Sequence, residues 1–174
     1  TKASDNAYDF SQPILDASAN EWFVTYHANY LSAKGQTSVI LSPRTTYLQK
    51  DFMYSAGTLT NFVMDCPLLT YIGEYAVQGA TLLTGVDASN WDLSSLKTFG
   101  ARAMNNTAIT GALKLPACTV LNGQSFRSLT KLEELWLTSP DLPANAFDYK
   151  ERSAGLLSLT NLVLGASAQM TAAG

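Results

Sequence analysis

The sequence predicts a repeat solenoid, in which short similar turns of chain stack on one another and share one apolar core. The first observation is a phrase that reads apolar, three mostly small or polar residues, one small or aromatic residue, then apolar. It begins at Leu48, Ile72, Phe99, Leu121 and Leu142, and the differences between these successive numbers are 24, 27, 22 and 21. A period in this range is typical of an array in which each unit buries its apolar face only against its neighbours.

The second observation is a leucine-rich frame that alternates with this phrase. Its first, fourth and sixth residues are apolar, and its copies begin at Leu59, Leu83, Ile109, Leu132 and Leu159, the Ile109 copy being one residue longer. The differences between these numbers are 24, 26, 23 and 27, so the two sets of landmarks drift together along the chain. The differences in length therefore belong to the connections, chiefly residues 88–99.

Each half of the repeat has an expected place. In the last three residues of the frame, the outer two should point into the core and the middle one outward, because side chains alternate along a strand. Stacked frames would form a short parallel β-ladder. The other phrase would return the chain in mostly irregular or short helical segments, with Gly73 and Gly100 taking a backbone turn that is closed to residues with a Cβ.

The first 36 residues do not repeat and are predicted to form an irregular lead-in and a capping helix. Ser18 and Glu21 fit a capping box, which starts a helix. Aromatic residues then recur at helical spacing from Trp22 to Tyr30, and Gly35 suits the position after a helix end. The helix would cover the first repeat, and residues 37–174 would hold about five repeats, the last one incomplete.

Several short residue combinations recur within the repeats, namely Leu83-Thr84, Leu115-Pro116, Ile72-Gly73 with Ala76, Phe99-Gly100 with Ala103, and Ala146-Phe147. At these residues the chain resembles a known family, the BspA-like leucine-rich repeats of bacterial surface and secreted proteins. The resemblance implies a leucine-rich-repeat-like right-handed superhelix and an extracellular or cell-surface location, including an outer-membrane lipoprotein whose anchor lies outside this chain. Ser125 departs from the pattern because it replaces an alanine.

Composition argues against several classes of function. Eleven scattered Lys and Arg residues and a net charge of -3 do not favour nucleic acid as a partner, and no apolar run has the length of a membrane span. His27 is the only histidine, and Cys66 and Cys118 belong to different columns of the array, so no disulfide is expected between them. We therefore predict a monomer that is not an enzyme, with no catalytic residues, metal or cofactor.

The remaining candidates for function are outward residues of the predicted ladder. The middle one of the last three residues of each frame belongs to a candidate ligand face. Its members, in chain order, are Val63, Asp87, Lys114, Trp136 and Val163. Trp136 is the leading candidate because large aromatic residues are enriched at binding hot spots; the alternative is that it only shields the ladder. Trp91 is a secondary candidate, with a plug for its own loop as the alternative.

Two functional hypotheses follow from these residues. The first is a non-catalytic binding or adhesion module that recognises a protein partner, from a host or a bacterial surface, through the exposed repeat face. The alternative is a carbohydrate-binding module that uses Trp136 and Trp91 to stack on a glycan.

Overall fold

The structure is a computed structural model that describes residues 2–4, 7–9, 15–16, 21–22, 35, 37–138, 141–143, 145–147, 156–165 and 169–170. These residues form a parallel β-solenoid of about five turns with almost no helix. The strands are β1 (Lys2–Ser4), β2 (Ala7–Asp9), β3 (Leu15–Asp16), β4 (Glu21–Trp22), β5 (Ser38–Ile40), β6 (Tyr47–Leu48), β7 (Asn61–Val63), β8 (Tyr71–Ile72), β9 (Thr98–Phe99), β10 (Ala112–Leu115), β11 (Val120–Leu121), β12 (Glu134–Leu137), β13 (Asp141–Leu142), β14 (Asn161–Leu164) and β15 (Gln169–Met170).

The repeated strands form two parallel ladders on different sides of the core. The frame ladder consists of β5 and β7, then, after an interruption, β10, β12 and β14. The return ladder runs unbroken through β6, β8, β9, β11, β13 and β15. The predicted parallel ladder of frames is thus confirmed. The returns are mostly irregular turns, as predicted, but the first residue of every return phrase also ends a two-residue strand, which was not predicted.

The frame ladder is interrupted in the turn between the return phrases that begin at Ile72 and Phe99. Between β7 and β10, a single parallel bridge joins Asp87 to Thr110, and a 3-10 helix occupies Ala88–Asn90. No backbone hydrogen bond joins β7 to residues 84–88, a stretch that the structure describes in full. The frame of this turn is therefore hydrogen-bonded to the following turn and not to β7.

The core is a continuous column of leucine, phenylalanine and smaller apolar residues. Alternation works as predicted in β12, where Leu135 and Leu137 are buried and Trp136 is exposed. Each fully buried side chain of this size contributes about 1.5 to 3 kcal/mol relative to exposure. In β14, by contrast, Leu162 and Leu164 are exposed, and among the described strands β14 pairs with β12 alone.

The glycines of the return phrase have a different role from the predicted one. Neither Gly73 nor Gly100 has a positive φ; instead, a Cβ on Gly100 would lie 2.5 Å from the carbonyl carbon of Gly73. Glycine is thus required for close approach of successive turns. The left-handed turn is taken two residues later, by Tyr75 (φ 56°) and Arg102 (φ 52°).

The start of the chain corrects part of the predicted cap. Glu21 and Trp22 do not begin a helix; they form β4, which pairs antiparallel with β3. The rest of the predicted helix, including Tyr26, His27 and Tyr30, lies outside the described residues. Before it, β2 pairs antiparallel with β1 and parallel with β5, so that β2 extends the frame ladder at its first turn.

Candidate functional site

The frame ladder brings three of the five predicted face residues into one row. Lys114 pairs with Trp136, and Trp136 pairs with Val163, across the adjacent strands β10, β12 and β14. Val63 lies on β7, beyond the interruption, and pairs with Ile40. Asp87 pairs with Thr110 rather than with Lys114. The predicted face is therefore split in two by the interruption.

Trp136 is the centre of a surface that we call the tryptophan face, formed by Lys114, Glu134, Trp136 and Val163. Trp136 is 38% exposed. Lys114 Nζ lies over its ring, 5.5 Å from the ring centroid, and the indole Nε1 donates a hydrogen bond of 2.9 Å to Glu134 Oε2. A cation over a tryptophan ring and a bonded indole N–H both favour this orientation of the Trp136 side chain.

The other side of the interruption contains a small cleft, which we call the notch. Its lining residues are Asn61, Phe62, Val63, Gly85, Val86, Asp87, Asn90 and Trp91, and its volume is about 170 Å³. Trp91 is 9% exposed and packs edge to face on Phe62, with ring centroids 5.8 Å apart. Trp91 is thus mainly a plug for its own turn, as the alternative interpretation stated, and offers no open ring face to solvent.

Asp87 is fixed at the edge of the notch by local hydrogen bonds. It caps the 3-10 helix, and its Oδ1 accepts a hydrogen bond of 2.8 Å from the Ser89 N–H. Hydrogen bonds from the Ser89 side chain and backbone lower the pKa of the Asp87 carboxyl. Gly111 packs against this cap, with φ 72° and no room for a Cβ beside Asp87 Oδ1. Asp87 is therefore an oriented, ionised acceptor.

A group of tyrosines on the first turns was not predicted. Tyr47 and Tyr71 stack with centroids 4.5 Å apart, and Tyr54 and Tyr75 meet edge to face at 5.9 Å. Tyr47 and Tyr71 both precede the first residue of a return phrase, which is a periodic signal in the sequence. It was missed because only the frame was expected to form a ladder with outward residues.

Charged groups surround Tyr75 in this group. Lys50 Nζ lies 5.6 Å and the Arg102 guanidinium 5.8 Å from its ring centroid. Lys50 also pairs with Glu74 at 2.7 Å, and the hydrogen bond from Lys50 is the main cause of the lowered pKa of Glu74. Because this ion pair is exposed, its contribution to stability is small.

Both cysteines are free and buried. The absence of a disulfide between them is predicted by their positions in different columns of the array. Desolvation raises the pKa of the Cys66 thiol to about 12 and that of Cys118 to about 11. Neither is therefore an activated nucleophile. Among the residues that the structure describes, no group of three or more His, Cys, Asp and Glu side chains is arranged to hold a metal ion.

No protein-family model, curated protein or solved structure matches the chain. The candidate site is therefore defined by its own geometry, which consists of the tryptophan face on one side of the interruption and the notch on the other. Within the described part of the chain, no helix has the length and apolar character needed to cross a membrane.

Proposed function

We propose that this chain is a non-catalytic binding module that recognises a protein partner through the tryptophan face. The observation that carries the proposal is the orientation of Trp136, which is exposed yet held by Lys114 and Glu134. A large side chain that is already ordered loses little conformational entropy on binding. Trp136 therefore has the properties of an interface hot spot.

The surroundings of Trp136 favour a protein over a glycan at this face. Protein interfaces typically place an aromatic residue at the centre and charged or polar residues at the rim. Lys114 and Glu134 supply both signs of charge beside the ring, and Val163 supplies an apolar neighbour. Since Lys114 lies over the ring, it competes with a sugar that would stack there.

We propose further that the repeats are of the BspA-like leucine-rich type and that the protein acts at a bacterial cell surface or after secretion. The return phrases with Ile72-Gly73 and Phe99-Gly100 support the repeat type, as does the spacing of equivalent contacts. The Thr70 hydroxyl, for example, donates to Thr46 O, 24 residues earlier. Location rests on the family resemblance alone.

The test compares wild type, Trp136→Ala and Tyr47→Ala in binding to purified host and bacterial surface proteins, measured by surface plasmon resonance. Tyr47→Ala is the matched control because it removes an exposed aromatic from the return ladder. We expect at least one specific protein whose affinity falls about tenfold or more with Trp136→Ala, as is typical of hot spots. Tyr47→Ala should bind as wild type does.

Thermal melting of each variant separates loss of binding from loss of fold. If all bound proteins bind Trp136→Ala and wild type equally, the tryptophan face is not the interface and the proposal is wrong. If Tyr47→Ala is the variant that loses binding, the interface lies on the return ladder instead.

A further inference from the structure

The notch offers main-chain hydrogen-bonding groups as well as side chains. The Asn61 N–H donates to Thr37 O and Val63 O accepts from the Leu41 N–H, each at 3.0 Å, so these two residues bond toward β5. In a parallel ladder, the residue between them directs its N–H and C=O to the opposite side. For Phe62 that side is the notch, where no strand pairs with β7. Phe62 is only 1% exposed, so this donor and acceptor, for which no protein partner is found among the described residues, lie at the buried end of the notch.

Polar side chains at the rim add to these groups. Asn61, Asp87 and Asn90 are all exposed. Asn61 Nδ2 donates a hydrogen bond of 2.9 Å to Ser38 Oγ. This bond holds the Asn61 amide and leaves its carbonyl oxygen as an acceptor. Asp87 is held by the Ser89 N–H and, as a carboxylate, retains further acceptor sites. The rim therefore presents oriented acceptors together with the amide donors of Asn90.

The notch also has apolar lining. The edge-to-face pair of Trp91 and Phe62 closes one part, and Val63 and Val86 contribute aliphatic surface. A lining that combines apolar surface with a few oriented polar groups is typical of a small-molecule site. At about 170 Å³, the notch is smaller than the roughly 300 to 1,000 Å³ of drug-sized sites, so it suits one small group.

We propose that the notch binds a single sugar ring, either free or at the end of a glycan. The hydroxyls of a pyranose both donate and accept hydrogen bonds, which matches acceptors on Asp87 and Asn61 and donors on Asn90 and Phe62. Its C–H surface matches the aliphatic side chain of Val63, which is 36% exposed in the lining. This site is separate from the tryptophan face and does not depend on the protein partner proposed there.

The lining argues against two other ligands. None of the eight lining residues is Lys, Arg or His, so an anion would find no opposite charge. An extended peptide would need several main-chain partners in succession to add a strand. Within β7, Phe62 alone directs such groups to the notch, since Asn61 and Val63 use theirs toward β5.

The decisive experiment adds bulk to the lining of the notch. A Cβ on Gly85 would have no atom within 4 Å, so the position has open space for a side chain, and Gly85→Leu places an apolar one there. Gly57→Leu is the matched control, because Gly57 is also exposed in a turn and its nearest neighbour would be 4.0 Å away. Asn90→Ala removes an amide from the rim.

Binding is measured by saturation-transfer NMR and titration with methyl glucoside, methyl galactoside, methyl mannoside, N-acetylglucosamine and glucosamine. We expect at least one sugar to bind wild type and Gly57→Leu with a dissociation constant of about 1 mM, as suits so small a ligand. Gly85→Leu should weaken that binding at least tenfold and Asn90→Ala several-fold. Trp136→Ala should bind sugar as wild type does, which separates this proposal from the protein-binding one.

Three results would overturn the proposal. The first is the absence of saturation transfer from every sugar, and the second is equal binding by Gly85→Leu and wild type. The third is binding of glucosamine alone, lost in Asp87→Asn, because that pattern would identify a site for an ammonium group rather than for a sugar ring.

Discussion

The two ladders of this solenoid differ in continuity, although both are built from repeats of uneven length. The return ladder keeps six strands in register although the spacing between successive return phrases is uneven. The frame ladder breaks between β7 and β10, yet β12 and β14 stay in register across a frame step of 27 residues. The comparison shows that the frame side of the molecule contains a break, where the notch lies, while the return side stays regular.

Close packing explains why the return ladder stays regular. Its strands are only two residues long, yet Gly73 and Gly100 let the backbones of successive turns touch. A column of aromatic rings lies beneath them, with Phe126 stacked between Phe99 and Phe147 at centroid distances of 5.4 and 5.5 Å. The side of the molecule with the tightest packing thus carries the scaffold, and both proposed binding surfaces lie on the other side.

The largest expected effect comes from opening a cavity beneath the return ladder. Phe126 is fully buried, and Phe126→Ala should lower the free energy of unfolding by about 3 to 5 kcal/mol, measured by urea denaturation followed by circular dichroism. Val120→Ala, on the exposed side of β11, is the control and should change it by less than about 0.5 kcal/mol. A loss below about 1 kcal/mol for Phe126→Ala would contradict the tightly packed column.

A smaller effect is expected from pushing two turns apart. In Gly100→Ala the new Cβ would lie 2.5 to 2.7 Å from backbone atoms of Gly73 and Glu74, which have little freedom to move. We expect a loss of about 1 to 3 kcal/mol in the free energy of unfolding. Gly85→Ala makes the same change in the open turn beside the notch and should be nearly neutral. Equal losses in the two variants would remove the proposed difference between the ladders.

On the frame ladder, a weak coupling is expected between Lys114 and Trp136. Because the pair is exposed, a double-mutant cycle with Lys114→Ala and Trp136→Ala should give an interaction free energy of about 0.5 kcal/mol that decreases at high salt. The control cycle combines Lys114→Ala with Tyr47→Ala on the return ladder, where we expect no coupling. If the cycle of Lys114→Ala with Trp136→Ala gave the same interaction free energy as this control cycle, Lys114 would not hold the ring.

The smallest effect at neutral pH concerns the buried thiols in the connections between the ladders. Folding raises the pKa of Cys66 from 9.0 to about 12, so only the unfolded state ionises between these values. The contribution of Cys66 to stability is therefore complete below about pH 9 and is lost as the pH rises toward 12. The free energy of unfolding, measured by urea denaturation below and above pH 9, should fall as the pH rises, and it should fall less in Cys66→Ala than in wild type.

Thiol labelling provides an independent check of that burial. At mildly alkaline pH, Ellman's reagent should react slowly with the native protein and rapidly with two thiols in urea, because Cys66 and Cys118 are both buried. Rapid reaction of either thiol without urea would show that the connection which carries it opens readily.

Several features of the fold and site were predictable from the sequence. Frame strands such as β12 are long enough for side chains to alternate visibly between inward and outward positions. The burial of Leu135 and Leu137 and the exposure of Trp136 therefore follow from this two-residue period. The return strands have only two residues, as at Tyr47–Leu48, and two residues cannot display a period. The second ladder and its tyrosine pairs were missed for that reason.

Other features depend on partners far away in the chain. The sequence indicates that glycine is needed at position 100, but it does not distinguish a left-handed turn from a close contact with Gly73 in the preceding turn. Trp91 is buried because Phe62 lies beside it, and Asp87 leaves the row of Lys114 because its turn pairs with Thr110 instead. In each case the outcome was decided by the neighbouring turn.

The sequence by itself determined that this protein is a solenoid, where its turns begin, and that frame residues such as Trp136 point outward. These properties depend on local periodicity, which each repeat displays on its own. The tertiary structure alone decided that the returns form the continuous ladder, that the frames are interrupted, and that a notch lies at the interruption. Those features depend on how turns of unequal length stack, and stacking is a property of neighbouring turns together.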